Sequence, residues 1–235
     1  MLDEDFARAN GFDLQPASVI VHGEGGNGST SGALAKHLRI AYGKIVLAKG
    51  NFTTAAFSVF QHLPPGVVGI LGFDVLGYHT LVLNYDKNVV SWLWPEAGPV
   101  HTSDSLLGYY SGAEPILTGE LATCDPSTST QRFLVDTGYN GTAQIDAALI
   151  HSPDCKLSTE YTGYGLHTQF KFRELAGSSQ ITIGASRFDL SRVSVTEATY
   201  DSNSALLGSK AFSGGILTID AKTKAIYFSK SAPPL

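Results

Sequence analysis

Arg132-Phe133-Leu134-Val135-Asp136-Thr137-Gly138-Tyr139-Asn140-Gly141-Thr142 carries an apolar strand straight into a single carboxylate on a tight turn. Branched and aromatic residues favour the strand, and glycine at 138 lets the backbone turn sharply and pass close to another chain. A strand that delivers one Asp onto Thr-Gly suits a catalytic carboxylate, with the Thr137 hydroxyl available to lock the loop. An Asx turn closing an ordinary strand uses the same residue types. What surrounds the stretch decides between them. Directly after it, Ala143 to Ile150 predicts a short helix.

Working outward, a second pattern repeats. Gly69-Ile70-Leu71-Gly72-Phe73-Asp74-Val75-Leu76 precedes Leu81-Val82-Leu83-Asn84-Tyr85-Asp86, and Ala205-Leu206-Leu207-Gly208-Ser209-Lys210-Ala211-Phe212 precedes Ile216-Leu217-Thr218-Ile219-Asp220. Both read as two apolar residues, Gly, a short turn, then a strand ending in Asp. Upstream, Ile40-Ala41-Tyr42-Gly43 before Phe57-Ser58-Val59 matches Ile181-Thr182-Ile183-Gly184 before Val193-Ser194-Val195. Three ordered matches at nearly one spacing indicate a duplicated lobe. The first lobe covers residues 1–94 and the second 113–235. Residues 95–112, rich in Pro, Gly, Ser and Asp, read as a linker.

The order within 113–235 resembles a lobe of the retropepsin-like and pepsin-like aspartic proteases. Those lobes run apolar strand, Asp-Thr-Gly with a Ser or Thr soon after, a glycine-bearing flap hairpin, further strands, then an apolar-apolar-Gly element beneath the catalytic loop. Here the series is Phe133 to Val135, Asp136 to Gly138 with Thr142, Thr162-Gly163-Tyr164-Gly165, Ile181 to Val195, and Leu206-Leu207-Gly208. Gly69 to Leu76 is similar to the Leu-Gly-x-Asp-x-Leu form of bacterial retropepsin-like proteins. Tyr139 departs from the small residue usual there, and Lys210 stands where the first lobe has Asp74. The resemblance implies an all-β fold of two β-barrel lobes around a central cleft. It implies Asp136, Thr137 and Gly138 as catalytic residues. Substrate contacts would come from Gly163, Tyr164 and Gly165 in one flap and Gly23, Gly25 and Gly26 in the other.

The first lobe has no Asp-Thr-Gly. Carrying the Asp136 to Gly208 spacing back from Gly72 falls at the chain's start, so the missing acid reads as truncation. Leu2-Asp3-Glu4-Asp5-Phe6-Ala7 then answers to Ile145-Asp146-Ala147-Ala148-Leu149. Family chemistry needs one carboxylate per lobe, sharing a proton around a water; mutual repulsion keeps both from ionising together and splits their titrations. One acid alone implies weak or no activity for a monomer. The implied function is an aspartic endopeptidase relative acting on peptide or protein substrates, with no cofactor or metal. A non-catalytic peptide-binding module on the same fold is the first alternative, and a nucleotide-binding domain using the Gly23–Gly28 loop the second.

Composition narrows the field. The chain has 235 residues, 43% hydrophobic and 16% charged, enough to bury a core. Its net charge of −5 and 16 Lys+Arg leave no basic footprint, which disfavours nucleic acid. No apolar run approaches the roughly 20 residues a membrane helix needs, so no membrane partner is expected. Met1-Leu2-Asp3-Glu4-Asp5 is not a secretory leader: the expected location is cytoplasmic, or periplasmic or secreted if a signal lies upstream. A homodimer stays open. Gly23-Glu24-Gly25-Gly26-Asn27-Gly28 fits a dinucleotide fingerprint, but no acid follows at the next strand, and a Walker loop would need Lys where Ser29 stands. The seven histidines form no HExxH, and no G-x-S-x-G is present. Cys124 and Cys155 are too few for a disulfide scaffold and are able to form one bridge. Asn27, Asn51 and Asn140 each begin an Asn-x-Ser/Thr triplet that reads equally as turn sequence.

Overall fold

The computed structural model describes residues 1–19, 30–59, 63–94, 105–112, 114–124, 129–164, 169–197 and 204–230. They are mostly strand, and the chain is all-β. It divides into two compact units, Met1–Leu76 with Thr162–Phe170, and Gly77–Tyr161 with Lys171–Leu235.

The first unit opens with β1 (Leu2–Asp3) and α1 (Glu4–Ala9), the helix that the spacing of Leu2, Phe6 and Ala9 predicts. Asp3 Oδ1 caps it, accepting the N–H groups of Asp5 at 2.8 Å and Phe6 at 3.4 Å. Three more strands follow: β2 (Leu14–Val19), β3 (Thr30–Tyr42) and β4 (Ile45–Ala55). They pair antiparallel, and β1 joins β4 in parallel, giving the order β1-β4-β3-β2. The sequence predicts a strand over Ala56–Phe60. Phe57–Val59 instead forms a 3-10 turn, which buries the Phe57 ring with Ala55 against Met1, Leu63, Val67 and Ile70. Burial of one large ring outweighs the local strand preference. A single turn, α2 (Phe73–Leu76), closes the unit.

The second unit carries the hairpin β5 (Thr80–Asn84) and β6 (Val89–Leu93), then β7 (Ser105–Tyr109), β8 (Ile116–Ala122), β9 (Ser129–Asp136) and β10 (Ala143–Asp146). The hairpin β11 (Tyr161–Tyr164) and β12 (Gln169–Glu174) follows, its tip grouped with the first unit. Then come β13 (Ser179–Ile183), β14 (Ser186–Leu190), β15 (Val193–Thr196), β16 (Ser204–Gly208), β17 (Gly215–Asp220) and β18 (Ala225–Lys230). Two sheets result, ordered β11-β12-β15-β10-β16-β9-β8-β13-β14 and β6-β5-β17-β18-β7. Burial alternates along β8, with Leu117 and Leu121 inside and Thr118 and Glu120 outside. Phe188, Phe212 and Phe228 pack ring against ring at 5.2–5.7 Å.

Two boundaries differ from the sequence reading. Thr80–Leu93, which the sequence puts at the end of the first lobe, groups with the second unit because β5 pairs with β17. Within the stretch read as a linker, Ser105–Tyr109 is the edge strand β7, held to β18 with Leu107 buried. Cys124 and Cys155 form a disulfide across a sequence separation of 31.

The sequence repeat has a counterpart in strand register. Leu2 and Asp3 pair in parallel with Thr54 and Ala55, and Ile145 and Asp146 pair in parallel with Val195 and Thr196. Met1 and Ile70 exchange hydrogen bonds at 2.8 Å each way, and Leu2 bridges Gly69 antiparallel. In the second copy Gln144 pairs antiparallel with Leu206, and Ala143 with Leu207. Asp3 caps α1 as Asp146 caps the 3-10 turn Ala147–Leu149. Ile70 and Gly72 therefore hold the places of Leu206 and Gly208. The hairpin turns extend the match: Asn84 Oδ1 accepts the Lys87 N–H three residues on at 3.0 Å, and Asp220 Oδ1 accepts the Thr223 N–H three residues on at 3.5 Å. Asn84, and not Asp86, is the counterpart of Asp220.

Candidate active site

Along β9 the side chains of Phe133 and Val135 are buried, which turns Leu134 and Asp136 to the opposite face of the sheet. β9 lies between β8 and β16, and its parallel register with β16 sets Asp136 opposite Gly208. The chain then reverses. Gly138 N–H donates to Asp136 Oδ1 at 2.9 Å, and Tyr139 N–H donates to the Asp136 carbonyl at 3.2 Å. The carboxylate is half-buried, its orientation fixed by its own loop.

The loop is seated on Gly208. A Cβ at that position would lie 2.4 Å from the Gly141 carbonyl and 2.7 Å from the Tyr139 carbonyl, distances no real side chain tolerates. Gly208 N–H donates to the Thr142 carbonyl at 2.9 Å, Ser209 N–H to Tyr139 O at 3.0 Å, and Lys210 N–H to Gly141 O at 3.1 Å. The Ser209 hydroxyl adds a bond to the Tyr139 carbonyl, and the buried Thr142 hydroxyl donates to the Arg192 carbonyl. Thr137, read as the lock of the loop, is exposed; Thr142 and Ser209 hold it instead.

Tyr139, the departure noted in the sequence, is an anchor. Its hydroxyl lies 3.0 Å from Ser194 Oγ and 3.4 Å from the Ala143 carbonyl, and its ring fills the space that a side chain at Gly141 would need. Sequence reasoning missed Ser194 and Ser209, which are ordinary strand and turn residues until the fold brings them to the loop. Ala143–Ile150, expected as a helix, is β10 followed by the 3-10 turn. Two alanines and an isoleucine read as helical by spacing, but pairing with β15 on one side and β16 on the other outweighs propensity.

Of the predicted substrate-binding residues, Gly23, Gly25, Gly26 and Gly165 lie outside the described residues. Gly163 sits in β11 with the Phe170 ring across it, where a Cβ would meet the ring at 2.6 Å. Tyr164 ends the same strand.

Elsewhere in the second unit, burial opposes the charge on Asp220. Hydrogen bonds from the Thr223 hydroxyl, the Lys222 and Thr223 N–H groups and the Thr80 hydroxyl outweigh it and hold the carboxyl below its usual value. Burial raises the Tyr110 phenol, and the Asp220 charge adds to that. Burial pushes Tyr85 up to about 12. Among the described residues no three His, Cys, Asp or Glu side chains are grouped to hold a metal.

No protein-family model matches the chain, and no curated protein matches it. The geometry of the loop therefore carries the functional reading.

Proposed function

We propose that the chain is an aspartic endopeptidase relative of two retropepsin-like lobes, in which Asp136 supplies one carboxylate of a dyad that hydrolyses peptide bonds. The observation that carries this is the seating of Asp136 opposite Gly208, together with the same apolar-apolar-Gly element at Ile70–Gly72 docked on Met1 and Leu2. A carboxylate delivered opposite Gly72 by a parallel strand would form the second half. Among the described residues no strand does so.

In such a dyad the two acids share one proton. One takes a proton from the attacking water while the other donates to the scissile carbonyl. Fixing the Asp136 loop on Gly208, with Tyr139 and Thr142 as anchors, keeps the carboxylate in place while the proton moves. A lone Asp136 lacks the acid partner, so this chain by itself is expected to be weak or inert.

The test extends the chain ahead of Leu2 with a strand ending in Asp-Thr-Gly. Acid-dependent cleavage of a peptide library is the expected result, and Asp136→Asn in that background abolishes it, since the amide keeps the loop's shape but cannot cycle the proton. An extended protein that binds peptides and cleaves none at any pH leaves the peptide-binding module in its place. Activity of the unextended chain rising with the square of concentration would instead indicate two Asp136 residues paired across a homodimer. The Cys124–Cys155 bridge supports an exported protein. No helix among the described residues is long and apolar enough to cross a membrane.

A further inference from the structure

We propose that Asn51 is a site of N-linked glycosylation. Asn51-Phe52-Thr53 is an Asn-x-Thr acceptor triplet, and its place in the fold adds what the triplet alone lacks. Asn51 and Thr53 are exposed on β4, beside the point where the β3–β4 ladder breaks between Ala35 and Leu38. The break is made by His37 at φ 55 and Gly50 at φ 154. β1 covers β4 only at Thr54 and Ala55, so the outer edge of β4 at Asn51 has no strand beside it among the described residues.

Hydrogen bonding also divides the amide in the right sense. Asn51 Oδ1 accepts the His37 N–H at 3.2 Å, which occupies the carbonyl end and leaves Nδ2 as the other branch of the planar group. Attaching a sugar to Nδ2 removes one of its two hydrogens and leaves Oδ1 an acceptor, so the glycan and the His37 bond coexist.

A second observation is independent of the triplet. Cys124 and Cys155 are joined, and such a bond forms and persists in oxidising compartments, the one where oligosaccharide transfer occurs among them. The other triplets differ. Asn27-Gly28-Ser29 lies outside the described residues. Asn140-Gly141-Thr142 belongs to the Asp136 loop, where Thr142 is buried against the Arg192 carbonyl and Gly141 accepts from Lys210. A glycan at Asn140 would stand within the loop that Gly208 seats.

The donor is a lipid-pyrophosphate-linked oligosaccharide. Nδ2 attacks the anomeric carbon of its first N-acetylglucosamine and a nitrogen–carbon bond forms. The carbon–oxygen bond to pyrophosphate breaks with its electron pair, and the proton from Nδ2 passes to a base of the transferase. Nothing is oxidised or reduced. The site is independent of whether Asp136 does chemistry.

The test produces the full chain through a eukaryotic secretory pathway behind a leader and treats it with peptide N-glycosidase. A discrete drop in mass is expected, with residue 51 deamidated in the peptide spectrum. Asn51→Gln and Thr53→Ala each remove the part of the drop that residue 51 carries, and Asn140→Gln keeps it. Thr53→Ala retains Asn51 and its bond to His37, so loss of the glycan is separated from damage to the bulge. Secreted wild-type protein whose residue 51 is unmodified overturns the proposal, as does deamidation of residue 51 that survives Thr53→Ala.

Discussion

Leu71 and Leu207 hold the same place in two copies of one element, yet Leu71 is 37% exposed and Leu207 is completely buried. Both leucines stand between an apolar residue and a glycine. What differs is the neighbour. Leu207 pairs with Val135 on β9, whereas Ile70 and Gly69 pair with Met1 and Leu2 on one side, and among the described residues no strand takes the place of β9 on the other. The apolar-apolar-Gly element is thus a receiving site, and the strand that fills it brings the carboxylate with it. Burial and site assembly are the same event in the second copy.

Truncating the two leucines breaks or confirms that equivalence with the largest effect. Leu207→Ala is expected to cost about 4 kcal/mol, because the side chain is fully buried and its loss leaves a cavity in the core beneath the sheet. Leu71→Ala should cost below about 1 kcal/mol, since little of that side chain leaves water. Urea unfolding of both variants measures the difference. Equal losses would mean that the two elements are not copies in different states of completion.

Reduction of Cys124–Cys155 comes next. The bridge closes a 31-residue separation within the second unit, and the first unit contains neither cysteine. Chain-entropy reasoning gives about 3–4 kcal/mol for a loop of that size. Hydrogen exchange in reductant should accelerate in residues 77–161 and 171–230 while 1–76 keep their rates. Uniform acceleration would join the two units into one cooperative body.

Much of this is legible in the sequence. The Asp136 strand and turn, the offset of 136 from Gly72 to Gly208, and the opening helix all follow from sequence patterns that the fold keeps. The misreadings occur where tertiary contacts overrule local preference. Ala143–Ile150 has helical spacing, yet Ala143–Asp146 is paired along β15, and Ala143 and Gln144 also with β16, so only Ala147–Leu149 keeps a helical turn. Ser105–Tyr109 sits among turn residues and becomes a strand only because β18 offers an edge. Thr137 is the obvious lock by adjacency, while Ser209 and Ser194, which reach the loop from other parts of the chain, carry no sequence signal.

The two glycines offer a smaller contrast. A methyl at Gly208 meets backbone oxygens of the Asp136 loop that cannot move aside, so Gly208→Ala should cost about 2–3 kcal/mol. A methyl at Gly72 meets only the end of the Asp74 side chain, 2.6 Å from its Oδ1, which rotates away. Thermal unfolding of Gly72→Ala is expected to match wild type closely. A large loss there would mean that the first copy already packs a loop against Gly72.

The smallest effect separates Asp220 from its counterpart Asn84. Asp220 Oδ1 accepts the Lys222 and Thr223 N–H groups, and Oδ2 accepts the Thr223 hydroxyl at 2.9 Å. Asn in its place keeps one acceptor oxygen but offers an amide nitrogen to the Thr223 hydroxyl, so Asp220→Asn should lose about 1 kcal/mol at neutral pH. The folded carboxyl lies below its usual value, so its stabilisation is fully present above the unfolded value near about 4 and disappears as the pH falls through the folded one. Wild type and variant should therefore differ at neutral pH and converge in acid. Tyr110 reports the same charge from the other side: burial raises its phenol first and Asp220 adds to it, so the variant's Tyr110 should titrate at lower pH. Ultraviolet titration of the phenols reads that shift. If the stability gap persists unchanged below the folded carboxyl's titration, the Asp220 contribution is one of shape alone, and the turn is as indifferent to charge as the one at Asn84.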